Sequence, residues 1–141
     1  MKKYFTTNPK QTESIGKKIA ATLRGGETLA LIGDLGSGKT TFVKGLARGL
    51  GVKNKITSPT FVLFKVYKAN KSKIKHLAHA DCYRVKGQEI LTVGLVEYLH
   101  QLDTVIVIEW ADKLPRLPRL TIKIRFHCGK KINERLIIVS S

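Results

Sequence analysis

Residues Gly33-Asp34-Leu35-Gly36-Ser37-Gly38-Lys39-Thr40 match the pattern G-x-x-x-x-G-K-[ST] in full. In such a stretch the glycines let successive backbone N–H groups turn toward phosphate oxygens. The lysine reaches the β- and γ-phosphates, and the hydroxyl that follows it can ligand Mg²⁺. Gly33, Gly36, Ser37, Gly38, Lys39, Thr40 and Thr41 are therefore the candidate nucleotide-binding residues, with Lys39 the cation of the chemistry and Thr40 a metal ligand. A phosphate loop that works with Mg²⁺ also needs a carboxylate at the end of a neighbouring strand. Glu109 is the first candidate, because it directly follows Thr104-Val105-Ile106-Val107-Ile108, the most continuous β-branched run in the chain. Its plainer reading is a surface acid at a strand end. Asp81 is the second, at the end of another strand-like run, with Tyr83 or Arg84 as alternative partners for its charge. Lys39, Asp81 and Glu109 form the candidate catalytic set, and Thr40 and Glu109 the candidate metal ligands.

Two further segments could touch a nucleotide. Thr57, Ser58 and Thr60 surround Pro59 on the loop after the phosphate-site helix, a place from which a γ-phosphate can be sensed. Turn chemistry around a proline accounts for the same residues equally well. Trp110, the only tryptophan, follows Glu109 and either lies beside the nucleotide or caps the core. His76, His79, His100 and His127 show no metal-ligand spacing.

The elements that must hold these residues are legible around them. Thr28-Leu29-Ala30-Leu31-Ile32 reads as a buried strand ahead of the loop. Thr41 to Leu50 has helical spacing, with Phe42, Val43, Leu46 and Leu50 on one face. Strand, glycine loop, helix is the order the chemistry requires, since the helix N-terminus adds its dipole to the anion site. A glycine-rich turn that merely carries a lysine would not explain both flanks. Asn8-Pro9-Lys10-Gln11 opens an earlier helix as N-cap, first-turn proline and capping-box glutamine, and that helix runs to about Leu23. Phe61 to Tyr67 and Ile74 to Ala80 read as strands around a hairpin turn at 68–73. Gln88 to about His100 is helical in spacing. Thr104 to Ile108 is placed centrally in a parallel sheet. Leu120 to Phe126 and Leu136 to Val139 read as an antiparallel pair at a sheet edge.

The chain has 141 residues, which predicts a single domain spanning 1–141. Its apolar fraction, 43%, is that of an ordinary globular protein. The absence of a spanning apolar run and of a leader-like h-region predicts a cytoplasmic location and no membrane association. Cys82 and Cys128 lack zinc or redox spacing and read as plain buried or half-buried thiols. The formal net charge is +16, which suggests an anionic partner such as nucleic acid or an acidic protein surface. A solvated basic face is the plain alternative. Lysines crowd 65–75, and a second basic group runs from Lys113 to Arg135.

Several of these motifs occur together and in one order. Asn8-Pro9, Gly33 to Thr41, Thr57-Ser58-Pro59-Thr60-Phe61, His79-Ala80-Asp81-Cys82-Tyr83-Arg84, Gly94 to Leu99 and Val107-Ile108-Glu109-Trp110-Ala111 span nearly the whole chain. With them the sequence resembles the TsaE (YjeE-like) family of small bacterial ATPases. The resemblance implies an α/β P-loop NTPase fold with a parallel central sheet, antiparallel edge strands and helices on both faces. It implies an ATPase needed to form N6-threonylcarbamoyladenosine at position 37 of tRNAs that read codons beginning with A. Such proteins act with the TsaB–TsaD heterodimer, and tRNA is met through that complex. ATP would bind at Gly36 to Thr41, Mg²⁺ at Thr40 and Glu109, Asp81 would lie near the metal and the attacking water, and Thr57 to Thr60 would form a switch-like loop. Ser37 stands where the family usually has alanine, and Cys82 where it has an apolar residue. Two other classes share some of these features. A small-molecule kinase would need an arginine-bearing lid, for which only Arg116 and Arg119 offer themselves. A nucleotide-switched nucleic-acid-binding module would use the basic surface directly on tRNA.

Overall fold

The computed structural model describes residues 1–57, 64–83, 94–114, 116–118 and 120–140. Seven strands form one sheet: β1 (Lys2–Thr6), β2 (Thr28–Ile32), β3 (Phe64–Lys71), β4 (Ile74–Asp81), β5 (Thr104–Glu109), β6 (Thr121–Cys128) and β7 (Arg135–Ser140), in the spatial order β1-β7-β6-β2-β5-β4-β3. β2 is parallel to both β5 and β6, and β4 is parallel to β5. β3, β7 and β1 extend this centre by antiparallel pairing. All six residues of β5 are buried, as a β-branched run covered on both faces demands. No helix among the described residues is long and apolar enough to cross a membrane.

Helices α1 (Pro9–Ala20) and α2 (Lys39–Gly49) cover one face of the sheet. The start of α1 follows the sequence: Asn8 Oδ1 accepts from the Gln11 N–H at 2.9 Å. Gln11 Oε1 accepts from the Thr7 N–H at 2.7 Å, one residue before the position a capping box uses. Its end has a cap that local sequence does not show. Lys71, at the tip of β3, donates to the carbonyls of Ala20, Ala21 and Leu23. α1 and α2 approach closely because each presents glycine. A Cβ on Gly16 would strike the Phe42 carbonyl, and one on Gly45 the Glu13 carbonyl. Phe42, Val43, Leu46 and Leu50 are all fully buried between α2 and the sheet. The opposite face buries Ala30, Ala78, Ala80, Cys82, Ile106 and Ile108 under Leu95, Ala111 and their neighbours, next to a single helical turn α3 (Val96–Tyr98).

The structure corrects several sequence expectations. The edge beside β7 belongs to β1, which the composition of Met1 to Thr7 does not announce; the β6–β7 pair is interior, with β6 joined to β2. Leu120 is 70% exposed instead of continuing the apolar side of β6. β3 runs on to Lys71, so the 68–73 turn shrinks to Ser72-Lys73, with Ser72 at φ 54°. Residues 61–63 of the expected strand and 88–93 of the expected helix lie outside the described residues. Cys128 is exposed, whereas Cys82 is buried. Burial, and secondarily the charges of Asp81 and Asp112, push the Cys82 thiol up to about 12, so it stays protonated and unreactive.

Candidate phosphate site at the C-terminal edge of the sheet

The loop between β2 and α2 sits where the parallel strands β2, β5 and β4 end together. Leu31 is level with Glu109 on β5, and Glu109 is level with Asp81 on β4. Both acids therefore arrive beside the loop by strand register alone. Gly36 and Gly38 take φ values of 73° and 103°, a region that a side chain disfavours. They close the loop tightly enough that the N-terminus of α2 opens into it, with no acidic residue in its first turn to compete for the anion site. The loop floors a cavity of about 430 Å³. Gly36, Ser37, Gly38, Lys39, Thr40, Thr41, Asp81, Glu109 and Trp110 line it together.

Lys39 is buried, and its ammonium donates to the carbonyls of Gly33 and Asp34, the latter at 2.9 Å. Gly33 thus meets the site through its carbonyl. The ammonium lies 4.1 Å from the centre of the Trp110 ring, a geometry worth about 0.5–2 kcal/mol. Burial lowers the Lys39 pKa, while Glu109, Asp34 and Asp81 oppose that shift. Thr40 Oγ1 donates to Glu109 Oε1 at 3.2 Å, so the two candidate metal ligands are in contact. Asp81 is buried, and burial raises its pKa, against the hydrogen bond its Oδ1 accepts from the Tyr83 N–H at 2.8 Å. Tyr83 is the partner here; Arg84 lies outside the described residues.

Trp110 lies between the core and the cavity. It packs against the second core cluster and also lines the cavity. It leaves β5 at φ 57°, a left-handed conformation that costs a residue with a side chain about 1–2 kcal/mol, and its ring lies 4.8 Å from that of Tyr83, tilted by 42°. Thr57 is exposed and is not part of the lining. Ser58, Pro59, Thr60 and Arg119 lie outside the described residues, and Arg116 is exposed away from the cavity.

Two residues join the site that spacing did not select. His79 Nε2 lies 2.6 Å from Glu109 Oε2, with both side chains buried. A carboxylate only accepts, so Nε2 donates, and Nδ1 is buried with no partner among the described residues. The available signal was alternation: His79 stands two residues before Asp81 and so shares its face of β4. Arg135, at the start of β7, donates to the Gly36 carbonyl at 2.7 Å and lines the cavity. In the sequence it is one basic residue in a crowd of them.

The residues present fit a nucleoside triphosphate with a divalent cation: a loop with glycines at positive φ, a buried ammonium beside it, and a hydroxyl–carboxylate pair at the adjacent strand end. A parallel sheet with this loop after its central strand defines a P-loop NTPase fold. Comparison with known proteins narrows the class. The family model described as threonylcarbamoyl adenosine biosynthesis protein TsaE matches residues 6–137, and the chain belongs to that family. It is 42% identical over 127 residues to the tRNA threonylcarbamoyladenosine biosynthesis protein TsaE of Bacillus subtilis, covering 87% of this chain and 77% of that one. It is 35% identical to the TsaE protein of a Nostoc species, covering 92% and 80%. The crystal structure of Bacillus subtilis YdiB superposes with a TM-score of 0.73 at 36% identity, over 96% of this chain and 82% of that one.

Proposed function

We propose that this chain is a single-domain, Mg²⁺-dependent ATPase of the cytoplasm, required for N6-threonylcarbamoyladenosine formation at position 37 of tRNAs reading A-starting codons. It would act with the TsaB–TsaD complex. The observation that carries the enzymatic part is the Thr40–Glu109 hydrogen bond, which joins the phosphate loop to a strand end 69 residues later in the chain. Family membership supports the pathway.

Mg²⁺, when bound, would supply positive charge against the negative charge of the transferred phosphoryl group. Thr40 Oγ1 and Glu109 Oε1 are the atoms that would hold it. Lys39 would give up its bonds to the Gly33 and Asp34 carbonyls and turn its ammonium to the phosphate oxygens, where positive charge lowers the barrier. His79 fixes the second oxygen of Glu109 and thereby the carboxylate plane. Asp81, one strand over, would orient a water and take up its proton, a role that burial favours by raising its pKa. Trp110 and Tyr83 wall the site on one side.

The test is phosphate release from ATP and Mg²⁺ by the purified chain, alone and with its own TsaB–TsaD heterodimer. Slow hydrolysis that rises with the heterodimer is expected. A rate indifferent to the heterodimer would remove the partnership, and transfer of the γ-phosphate to a metabolite in preference to water would replace the ATPase with a kinase.

A further inference from the structure

Among the described residues, the helices α1 and α2 and the second core cluster leave one part of the sheet open. On β1, β7 and β6, the residues that face α1 and α2 are Tyr4, Ile137, Val139, Ile122, Ile124 and Phe126. Alternation sends their neighbours to the other face. The second core cluster covers β2, β5 and β4 but includes none of them. This open face carries two cross-strand rows, fixed by register: Lys3, Ile138 and Arg125 in one, Phe5, Leu136 and His127 in the other. Lys123 lies on β6 beside them. Phe5 is 80% exposed, and Lys3, Lys123, Arg125 and His127 are exposed too. None of the three strands contains an acidic residue. Lys130 and Lys131, in the turn from β6 to β7, add charge at one end.

From this arrangement we infer that the open face of β1, β7 and β6 is a binding surface for unpaired RNA. An exposed aromatic ring among apolar side chains offers a platform on which a base stacks, while flanking Lys and Arg meet phosphates, the combination by which sheet surfaces take single strands. An acidic protein would satisfy the cations, but only a nucleic-acid base uses the flat face of the exposed Phe5 ring together with phosphate-binding cations beside it. The inference rests on the chain's place in a tRNA-modification family and not on its ATPase activity.

Fluorescence anisotropy with a labelled, unmodified tRNA transcript tests it across 50–200 mM salt, on the wild type, Phe5→Ala and the double variant Lys123→Ala/Arg125→Ala. Binding by the wild type should weaken as salt rises. Phe5→Ala should lose about tenfold in affinity with the salt slope unchanged. The double variant should lower the slope by about 1.4, since each phosphate contact to a single strand contributes about 0.7. Melting curves for both variants should match the wild type, and phosphate release by the chain alone should be unaltered, which separates this surface from the nucleotide site. No binding at 50 mM salt would overturn the inference, as would affinities that neither variant changes. Loss of stimulation by TsaB–TsaD with RNA affinity intact would assign the face to protein docking instead.

Discussion

The chemistry of this chain concentrates on one carboxylate. Glu109 receives Thr40 on one oxygen and His79 on the other, so its position is determined from two sides. Replacing Lys39 with alanine should lower ATP turnover at least a hundredfold, corresponding to about 3 kcal/mol or more of lost electrostatic stabilisation; single-turnover phosphate release measures it. His79→Ala should leave one buried oxygen of Glu109 without its donor. The expected cost is roughly tenfold in hydrolysis together with a higher Mg²⁺ requirement, the scale of one hydrogen bond to a charged group, about 1.5 kcal/mol. A purely structural His79 would change the melting temperature and leave the Mg²⁺ dependence alone. Asp81 gives a pH test with a definite sign. Burial raises its pKa above the ordinary value of 3.8, so the folded protein holds this proton more tightly than the unfolded chain. Stability is therefore lost as pH climbs from below 3.8 through the raised pKa, and the full cost is present at neutrality. Asp81→Asn should make the nucleotide-free protein more stable at pH 7, with the gain vanishing below about pH 4, as followed by urea unfolding at each pH.

At the scale of elements, α1 and α2 show how the phosphate site is braced. They meet backbone to backbone at Gly16 and Gly45, so α2, which carries Lys39 and Thr40, is seated directly on α1. Gly45→Ala would gain about 1 kcal/mol of helix propensity in isolation. Here it should destabilise the protein by about 1–3 kcal/mol, because the added methyl meets the Glu13 carbonyl and the overpacking exceeds the propensity. A shift of the denaturation midpoint in the opposite direction would mean that the helices can separate. Lys71 is the second brace. Its three bonds satisfy carbonyls at the end of α1 and place a cation at the negative pole of that helix. Lys71→Met should therefore cost about 1–3 kcal/mol, measured the same way. Neither role follows from local pattern. Gly45 reads as a tolerated defect in a helix, and Lys71 reads as part of a basic hairpin.

For the whole molecule, the net charge of +16 sets the repulsion that folding must overcome. The observed ion pairs offset little of it, since Arg48–Glu13 joins two partly exposed side chains. Raising sodium chloride from about 50 to 500 mM should increase the melting temperature by screening like charges, whereas a chain held together by surface ion pairs would melt lower. The same charge is unevenly placed: strands β1, β6 and β7 at one end of the sheet carry no acid, nor do β2 and β3, while Asp81 and Glu109 end the neighbouring strands β4 and β5.

The sequence by itself determined the strand–loop–helix unit, the burial of β5, the N-cap of α1 and the nomination of Lys39, Thr40, Asp81 and Glu109, which line one cavity. Each of these rests on short-range rules: glycine at positive φ, period-3.6 and period-2 burial, and an acid at the end of a run that must be covered on both faces. Tertiary structure alone decided that β1 closes the sheet edge and that β6 pairs with β2. It also decided that His79 fixes Glu109, that Arg135 reaches Gly36 across 99 residues, and that one face of three strands stays open among the described residues. Those outcomes depend on strand order and register, which are set by long-range packing energies. No local window of the chain contains both partners of such a contact.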